Sequence, residues 1–323
     1  MTETVAFNAV PAALDTDRTV SRELVHRWSL SEVFLTGYTG LDADRFTCLA
    51  QLPLSHAYYR DHVAAGGAHD PLLVLEAARQ AMTCAVHAHQ GLPRATALLA
   101  LSWRLSVTEP GALACSVRPG ELRIDGTVTE RRVRGGQVRR LAFEFGLVLD
   151  GRPLGRVDMA IGTTPADQYV ALRRMQHGGA IPTAFERSAE PAGTPVCPAE
   201  VDRENVGNVV LDSAVRDGDG LTAVLSPRMF ANRSMYDHPY DHVPGMVLTE
   251  AARQCALLLS DNGSGGGVGR TPVWLSAEFD QFAEVDSPVS LTARPTGEPS
   301  RFELIATQAA ARVAGIQLRL EAM

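Results

Sequence analysis

The chain lacks the features that mark several classes of protein. Its 323 residues carry a net charge of −7, so it shows no overall basic excess for binding nucleic acid. It has no run of the about 18 apolar residues that span a membrane, and the segment up to Pro11 has neither the basic start nor the sustained apolar core of a signal peptide. The five cysteines are scattered and form no CxxC pair, which is typical of a reducing compartment. We therefore expect a soluble cytoplasmic protein that binds neither nucleic acid nor a membrane.

What the chain does have is an internal repeat. The sequence Glu-Ala-Ala-Arg-Gln occurs at 76–80 and again at 250–254, and the Leu-Ser pair at 101–102 recurs at 275–276 with the same offset of 174 residues. A period this long predicts two similar domains rather than a solenoid of short repeats.

The length of the chain agrees with two domains, since 323 residues can form two units of roughly 100 to 200 residues each. We place the first domain at 20–162 and the second at 199–323. The segment 163–198 is rich in Pro, Gly and Ala and shows weak periodicity, so it is predicted to be a linker, with a short helix around 168–176.

Each copy of the repeated motif lies in a predicted apolar helix. The first helix is capped by Asp70, begins at Pro71 and runs to about Gln90, and the second runs from Pro244-Gly245 to about Ser260. Most of the surface of each helix is apolar, so both should be enclosed by a sheet. The polar residues form one stripe on each helix: Glu76, Arg79, Gln80, Thr83 and His87 on the first, and Glu250, Arg253 and Gln254 on the second.

Strand-like segments separated by Gly and Pro turns follow each helix. They lie at 97–108, 112–117, 121–131 and 138–149 in the first half, and at 273–282, 289–293, 302–308 and 311–319 in the second. A long apolar helix wrapped by an antiparallel sheet is the hotdog arrangement. We therefore predict an α+β protein of two tandem hotdog domains that form an internal pseudo-dimer, whose sheets join edge to edge.

The segment 237–251 carries the most specific motif, and it resembles the hydroxyacyl-carrier-protein dehydratases of the hotdog superfamily. Those enzymes have a histidine, then Pro-Gly, then a helical Glu-Ala, and the Pro244-to-Glu250 spacing matches this pattern. His238 and His242 stand on either side of Pro239-Tyr240-Asp241, displaced from the dehydratase position near Tyr236.

A closer resemblance covers nearly the whole chain. It rests on the blocks at 25–27, 32–36, 70–74 and 238–254, which together are similar to the A-factor biosynthesis family of actinomycetes. That family has two hotdog repeats and makes γ-butyrolactone, butenolide or furan signalling molecules. The resemblance implies transfer of a β-ketoacyl group from an acyl carrier protein or acyl-CoA thioester to the hydroxyl of dihydroxyacetone phosphate, and it implies catalytic roles for Glu76, Glu250 and Arg253.

The residues themselves can be assigned to this chemistry. The reaction needs a base near the hydroxyl, for which Glu250 and Glu76 are candidates. It needs a cation for the phosphate, which Arg253 or Arg79 can supply through a planar guanidinium. It also needs donors for the thioester oxyanion, and the amides of Gly245 and Met246 lie at a helix N-terminus, where such donors are available.

Other predicted substrate contacts are Gln80 and Gln254 in the stripes and His238 and His242 in the loop before the second helix. Pro239 lies within the four-residue interval between the two histidines and opposes a metal-binding helix, so they are predicted to be a loop pair that orients the second helix. Neither a metal nor a cofactor is predicted.

Alternatives remain at this point. Glu and Arg three residues apart often form only a surface ion pair. If only one copy is active, we favour Glu250 and Arg253 over Glu76 and Arg79. A hotdog dehydratase, a thioesterase, and a non-catalytic module that binds a lactone or a carrier protein are competing functions, and an oligomer beyond the internal pairing is possible.

Overall fold

A computed structural model describes residue 14 and residues 16–64, 67–260 and 269–322. These residues form one 12-stranded antiparallel sheet and three α-helices. The helices are α1 Pro71–Ala88, α2 Ala166–His177 and α3 Gly245–Ser260. The strands of the first half are β1 Leu35–Gly40, β2 Arg45–Leu52, β3 Ala97–Val107, β4 Gly120–Arg134, β5 Gln137–Leu149 and β6 Arg152–Thr164. Those of the second half are β7 Leu211–Asp217, β8 Gly220–Leu225, β9 Arg270–Phe279, β10 Ser290–Pro295, β11 Arg301–Gln308 and β12 Ala311–Ala322.

The strand order shows the duplication directly. It is β1-β2-β4-β5-β6-β3 in the first half and β9-β12-β11-β10-β8-β7 in the second, so the second half repeats the order of the first in reverse across the sheet. The halves meet where β3 pairs with β9, with Leu105 opposite Leu275. The prediction of two tandem hotdog domains joined edge to edge into a pseudo-dimer is confirmed.

The two long helices form where the sequence predicts them. Asp70 caps α1 by accepting a hydrogen bond from the Leu72 amide at 2.8 Å, and Pro71 fills the first position, where the missing amide hydrogen costs nothing. All of α1 is buried except Arg79 and Ala88, because the sheet wraps around it. The polar stripe therefore lies inside the protein.

Two strand predictions need correction. The segment 112–117 is not a strand: a 3₁₀ turn at Pro110–Leu113 precedes a loop, in which Ala114 forms only an isolated bridge with Ala68. Strand β6 was missed, since Pro153 and Gly155 near its start are typical of a turn.

The predicted linker contains α2, which ends at Gly178 in the left-handed conformation (φ 76°). Its Arg173 side chain is fully buried against the second half of the protein. The segment between the repeats thus packs on the second half. After α3, the glycine-rich segment 261–267, which the sequence predicts to be a flexible loop, lies outside the described residues. Within the described residues, no helix is long and apolar enough to cross a membrane.

Candidate functional site

The repeated motif builds two related clusters of buried charges. Each cluster adds an arginine from far upstream in the sequence. The Glu76 cluster consists of Arg27, Glu76, Arg79 and Gln80, and the Glu250 cluster consists of Arg203, Glu250, Arg253 and Gln254. Each lies where the helix of one repeat faces a loop of the other.

Glu76 is held by several donors at once. Its Oε1 accepts from Arg27 Nη2 at 2.5 Å, Arg79 Nη2 at 2.8 Å and Gln80 Nε2 at 2.9 Å, and its Oε2 accepts from Arg79 Nε at 2.7 Å. Burial alone raises the pKa of Glu76, but the two arginines outweigh it and lower the pKa to about 2. The carboxylate therefore stays ionised and fixes both guanidinium groups.

Arg79 opens onto a pair of adjoining cavities. Its side chain is 19% exposed, whereas that of Glu76 is 1% exposed. A small cavity of about 120 Å³ is bordered by both residues and by Gly245 and Met246 from the first turn of α3 in the other repeat. A large cavity of about 430 Å³ continues along α1 towards Met82.

The large cavity has mostly apolar walls from α1, β3 and β6. They include Met82, Leu98, Leu99, Ala100, Met159, Ala160 and Ile161. Both cavities share Arg79, Leu98, Ala100, Trp103, Tyr240 and His242 as lining residues. A charged group thus lies at the junction of the two cavities, beside a channel suited to an apolar chain.

The start of α3 requires glycine. A Cβ at Gly245 would lie 2.5 Å from Cη2 of Trp103 and 2.9 Å from Cζ of Phe279, so any other side chain would clash. The preceding residue, Pro244, has no side-chain acceptor. The first amides of a helix have no acceptor within the helix, and Gly245 and Met246, which carry those amides in α3, both line the small cavity.

The loop before α3 contains two adjacent Asp–His pairs. His238 Nδ1 lies 2.6 Å from Asp237 Oδ1, and His242 Nδ1 lies 2.6 Å from Asp241 Oδ1. Asp237 also accepts from the backbone amide of Trp28 at 2.8 Å. Each imidazole is thus bound to its own aspartate, and the described residues hold no group of three or more His, Cys, Asp or Glu side chains placed to bind a metal.

The Glu250 cluster is closed. Arg203 and Glu250 are both fully buried, with Arg203 Nη2 at 2.9 Å from Glu250 Oε1, and Tyr58 donates to Glu250 Oε2 at 3.0 Å. Arg253 Nη1 lies 2.9 Å from Oδ2 of Asp70. Among the described residues, the cavity that Arg253 borders with His62 and Asp70 holds about 10 Å³, which is too little for a substrate.

Asp70 immediately precedes α1 and caps it, at the position that Pro244 holds before α3. It accepts from the Leu72 amide and also contacts His62 Nε2 at 3.1 Å, while His62 Nδ1 lies 3.1 Å from Asp202. Although burial alone lowers it, hydrogen bonds to Asp202 and Asp70 raise the pKa of His62 to about 9. Burial raises the pKa of Glu250 above its ordinary value, against the opposing charge of Arg203.

The two glutamines have a different environment from the one predicted for substrate contacts. Gln80 donates to the carbonyl of Glu32 at 2.7 Å and accepts from the amide of Phe34 at 2.9 Å. Gln254 does the same with Asn208 and Val210, at 2.8 and 3.0 Å. Their amide groups therefore join each helix to the backbone before β1 or β7.

Sequence reasoning missed several residues of the site: Arg27, Tyr169, Arg173, Tyr240 and Asp241. Arg27 could have been found, because Arg203 stands 176 residues later, the same offset as Arg118 and Arg294. The others have no counterpart signal in the repeat.

The profile of the A-factor biosynthesis hotdog domain matches residues 9–165 and 185–320. A 2-oxo-3-(phosphooxy)propyl 3-oxoalkanoate synthase of Streptomyces virginiae is 32% identical over 277 residues, covering 86% of this chain and 87% of the relative. The synthase of the same name from Streptomyces coelicolor is 30% identical, covering 85% of this chain and 82% of the relative.

Solved structures agree on the fold. The dehydratase domain from the CurF module of curacin polyketide synthase superposes with a TM-score of 0.52 at 11% identity, covering 90% of this chain and 98% of that chain. An inactive mutant of the CurK dehydratase gives 0.50 at 12% identity, covering 88% and 95%. Identities this low show a shared fold and no more.

Proposed function

Because the chain belongs to the A-factor biosynthesis hotdog family, we propose that it transfers a β-ketoacyl group from a thioester to the hydroxyl of dihydroxyacetone phosphate. The product is a 2-oxo-3-(phosphooxy)propyl 3-oxoalkanoate, after which the Streptomyces relatives are named. It would be a precursor of a γ-butyrolactone or butenolide signalling molecule.

We assign the reaction to the Glu76 cluster. The observation that supports this choice is the pair of adjoining cavities, which joins Arg79 of one repeat to the N-terminus of α3 in the other. The Glu250 cluster has all the same residue types, but the cavity that the described residues form beside it holds only about 10 Å³. We therefore reverse the preference that the sequence suggested and give Glu250 and Arg253 a structural role.

The groups around the small cavity fit the requirements of acyl transfer. Arg79 offers a fixed guanidinium for the phosphate dianion. The amides of Gly245 and Met246 hold the thioester oxygen as it becomes negative in the transition state. The large apolar cavity beside Met82 takes the acyl chain.

Glu76 serves this site as an anchor. Both of its oxygens accept hydrogen bonds from Arg27, Arg79 or Gln80, and its pKa is about 2. A carboxylate this weakly basic is a poor acceptor for the proton of an alcohol. Its contribution is to hold Arg79 at the cavity.

The acyl donor is an acyl carrier protein or an acyl-CoA thioester, and we place the reaction in the cytoplasm. All five cysteines are free thiols, which agrees with a reducing compartment. The chemistry requires no redox step.

The proposal is tested by mixing the purified protein with a β-ketoacyl carrier protein, or the matching CoA thioester, and dihydroxyacetone phosphate, and following products by mass spectrometry. We expect a phosphorylated β-ketoacyl ester from the wild type and much less of it from Arg79→Met. Glu250→Gln is the matched variant in the closed cluster, and its thermal unfolding is measured in parallel.

Other products would assign the protein to another class. Free β-keto acid without ester would indicate a thioesterase, and an enoyl product from a β-hydroxyacyl donor would indicate a dehydratase. Binding of the thioester without any turnover, across several chain lengths, would indicate a non-catalytic module.

A further inference from the structure

The loop that carries His242 is fixed from the linker helix α2. Tyr169 of α2 donates from its hydroxyl to Asp241, with both carboxylate oxygens at 2.8 Å. Arg173, one turn later, places Nε 3.1 Å from Asp241 Oδ2 and donates from Nη2 to the Asp241 carbonyl at 2.8 Å. Asp241 therefore has little freedom to rotate.

Arg173 is itself immobilised. It is fully buried, forms a two-point ion pair with Glu284 at 2.6 and 2.7 Å, and lies 4.3 Å above the ring of Phe282. Arg173 and Tyr169 have no role in either copy of the repeated motif. Both side chains contact Asp241, so we ascribe to them the function of fixing the Asp241–His242 pair.

This arrangement fixes the tautomer of the His242 imidazole. Burial alone raises the pKa of Asp241, but hydrogen bonds from His242, Tyr169 and Arg173 outweigh it and hold the pKa below its usual range. An ionised Asp241 can only accept, so the neutral ring carries its hydrogen on Nδ1. The lone pair is then on Nε2, and His242 borders both cavities.

We propose that His242 is the general base of the acyl transfer and that Asp241, Tyr169 and Arg173 are its positioning residues; this rests on the proposed function. His242 Nε2 takes the proton from the hydroxyl of the triose phosphate. The oxygen forms a bond to the thioester carbonyl carbon, and the amides at the start of α3 hold the oxyanion. When the oxyanion collapses, the carbon–sulfur bond breaks and the imidazolium returns the proton to the leaving thiolate.

His242 fits this role better than its neighbours in the site. Glu76 has both oxygens engaged by donors. His238 borders the large cavity only, its ring packs at 3.8 Å between centroids on that of Tyr240, and its partner Asp237 is also paired with Arg27. His242 alone of the two histidines reaches the junction where Arg79 and the start of α3 meet.

Several charged or titratable groups surround His242. Asp241 lies on its own loop, Tyr169 and Arg173 on α2, and Arg79 on α1, and Glu284 forms a backbone bridge with His242. The nearest of these is Asp241, which accepts the hydrogen bond from Nδ1 of the ring. Its removal should therefore release the tautomer and the orientation of the His242 ring.

The test is the pH dependence of ester formation at saturating substrates, measured for wild type, His242→Ala and Asp241→Asn. We expect His242→Ala to lose about 10²- to 10⁴-fold in kcat and to regain part of it with added imidazole. Asp241→Asn should lower kcat, because an amide no longer fixes the hydrogen of the His242 ring on Nδ1. Tyr169→Phe should lower kcat less, because Arg173 still holds Asp241.

Controls separate this inference from the proposed function and from misfolding. His177→Gln removes a histidine from the end of α2 whose Nε2 lies 3.0 Å from Asp286, outside the cavities, and it should keep the wild-type rate. If the wild type makes no ester, the proposed function fails. If the wild type makes ester while a folded His242→Ala variant keeps its rate, or loses it equally at every pH with no response to imidazole, His242 is not the base.

Discussion

Each of the two clusters consists of two arginines, a glutamate and a glutamine, yet one borders a large cavity, whereas the described residues around the other leave little space. At the Glu76 cluster a loop with two Asp–His pairs and the bare start of α3 face Arg79. At the Glu250 cluster Tyr58, His62 and Asp70 occupy the equivalent space. The difference teaches that the motif on the helix does not make a site by itself. The loop from the opposite repeat decides it.

The starts of the two helices illustrate this. Helix α3 begins with Pro244-Gly245, which leaves amides available and no side chain over them. Helix α1 begins with Asp70-Pro71, in which the carboxylate already accepts an amide and the proline lacks one. The first amides of α3 therefore have no side-chain acceptor at the helix end, whereas the Leu72 amide of α1 is already bonded to Asp70.

The largest difference is expected from paired arginine variants. Arg79→Met should reduce kcat/KM for dihydroxyacetone phosphate by about 10²- to 10³-fold, because a charge-assisted contact to phosphate is lost. Arg253→Met should instead cost about 3–5 kcal/mol in the free energy of unfolding, because Asp70 loses its buried partner. Kinetics and urea unfolding of both variants check this, and a stable but inactive Arg253→Met would reverse our assignment.

The second prediction concerns a variant in which α3 begins with the same kind of cap as α1. Pro244→Asp introduces a carboxylate that can cap α3 as Asp70 caps α1. We expect activity to fall by about 10²- to 10³-fold because the cap competes for the amides that hold the oxyanion, while the helix gains up to about 1 kcal/mol. Steady-state rates and thermal melting of wild type and Pro244→Asp measure the two effects, and Pro244→Ala serves as the control without a carboxylate. Unchanged activity in Pro244→Asp would exclude these amides from the reaction.

The third prediction concerns pH and the closed cluster. The pKa of His62 is raised from 6.5 to about 9, so its ion pairs contribute stability that is fully present below pH 6.5 and is lost as the pH rises through 9. We expect the wild type to lose about 3 kcal/mol of unfolding free energy, relative to His62→Gln, over this interval. Urea unfolding of both proteins from pH 6 to 10 measures it. A constant difference between them would show that folding does not raise the pKa of His62.

The smallest effect is expected in the large cavity. Ala160→Leu adds volume to a wall of β6 beside the acyl channel. Transfer of long acyl chains should decrease by about 10-fold or more relative to short ones, since each methylene in an apolar pocket contributes about 1–3 kcal/mol to discrimination. Competition between short and long β-ketoacyl thioesters tests this, with the short donor as internal control. If the ratio of long-chain to short-chain transfer did not change, the acyl chain would have to bind outside the large cavity.

Much of the architecture could be predicted from local patterns. Both long helices, the duplication and most strands follow from apolar periodicity, caps and turns, each of which depends on residues close in sequence. Strand β6 was missed because Pro153 and Gly155 are typical of turns. Its pairing with β3 and β5 overrides that local preference.

The site was harder to predict because it is assembled from both repeats. The sequence identified Glu76, Arg79, Gly245, Met246 and His242 as candidates, and the structure brings these residues together around one small cavity. It gave no signal that Tyr169 or Arg173 of the linker would contact the loop before α3, since that contact joins residues about 70 positions apart.

The sequence by itself determined that this protein has two hotdog repeats, each with a Glu and an Arg on a buried helix, because a helix and its motif depend on neighbouring residues. Only the tertiary structure decided which repeat has room for a ligand. The loop that opens or fills each cluster comes from the opposite repeat, and its placement depends on packing between distant segments rather than on local sequence.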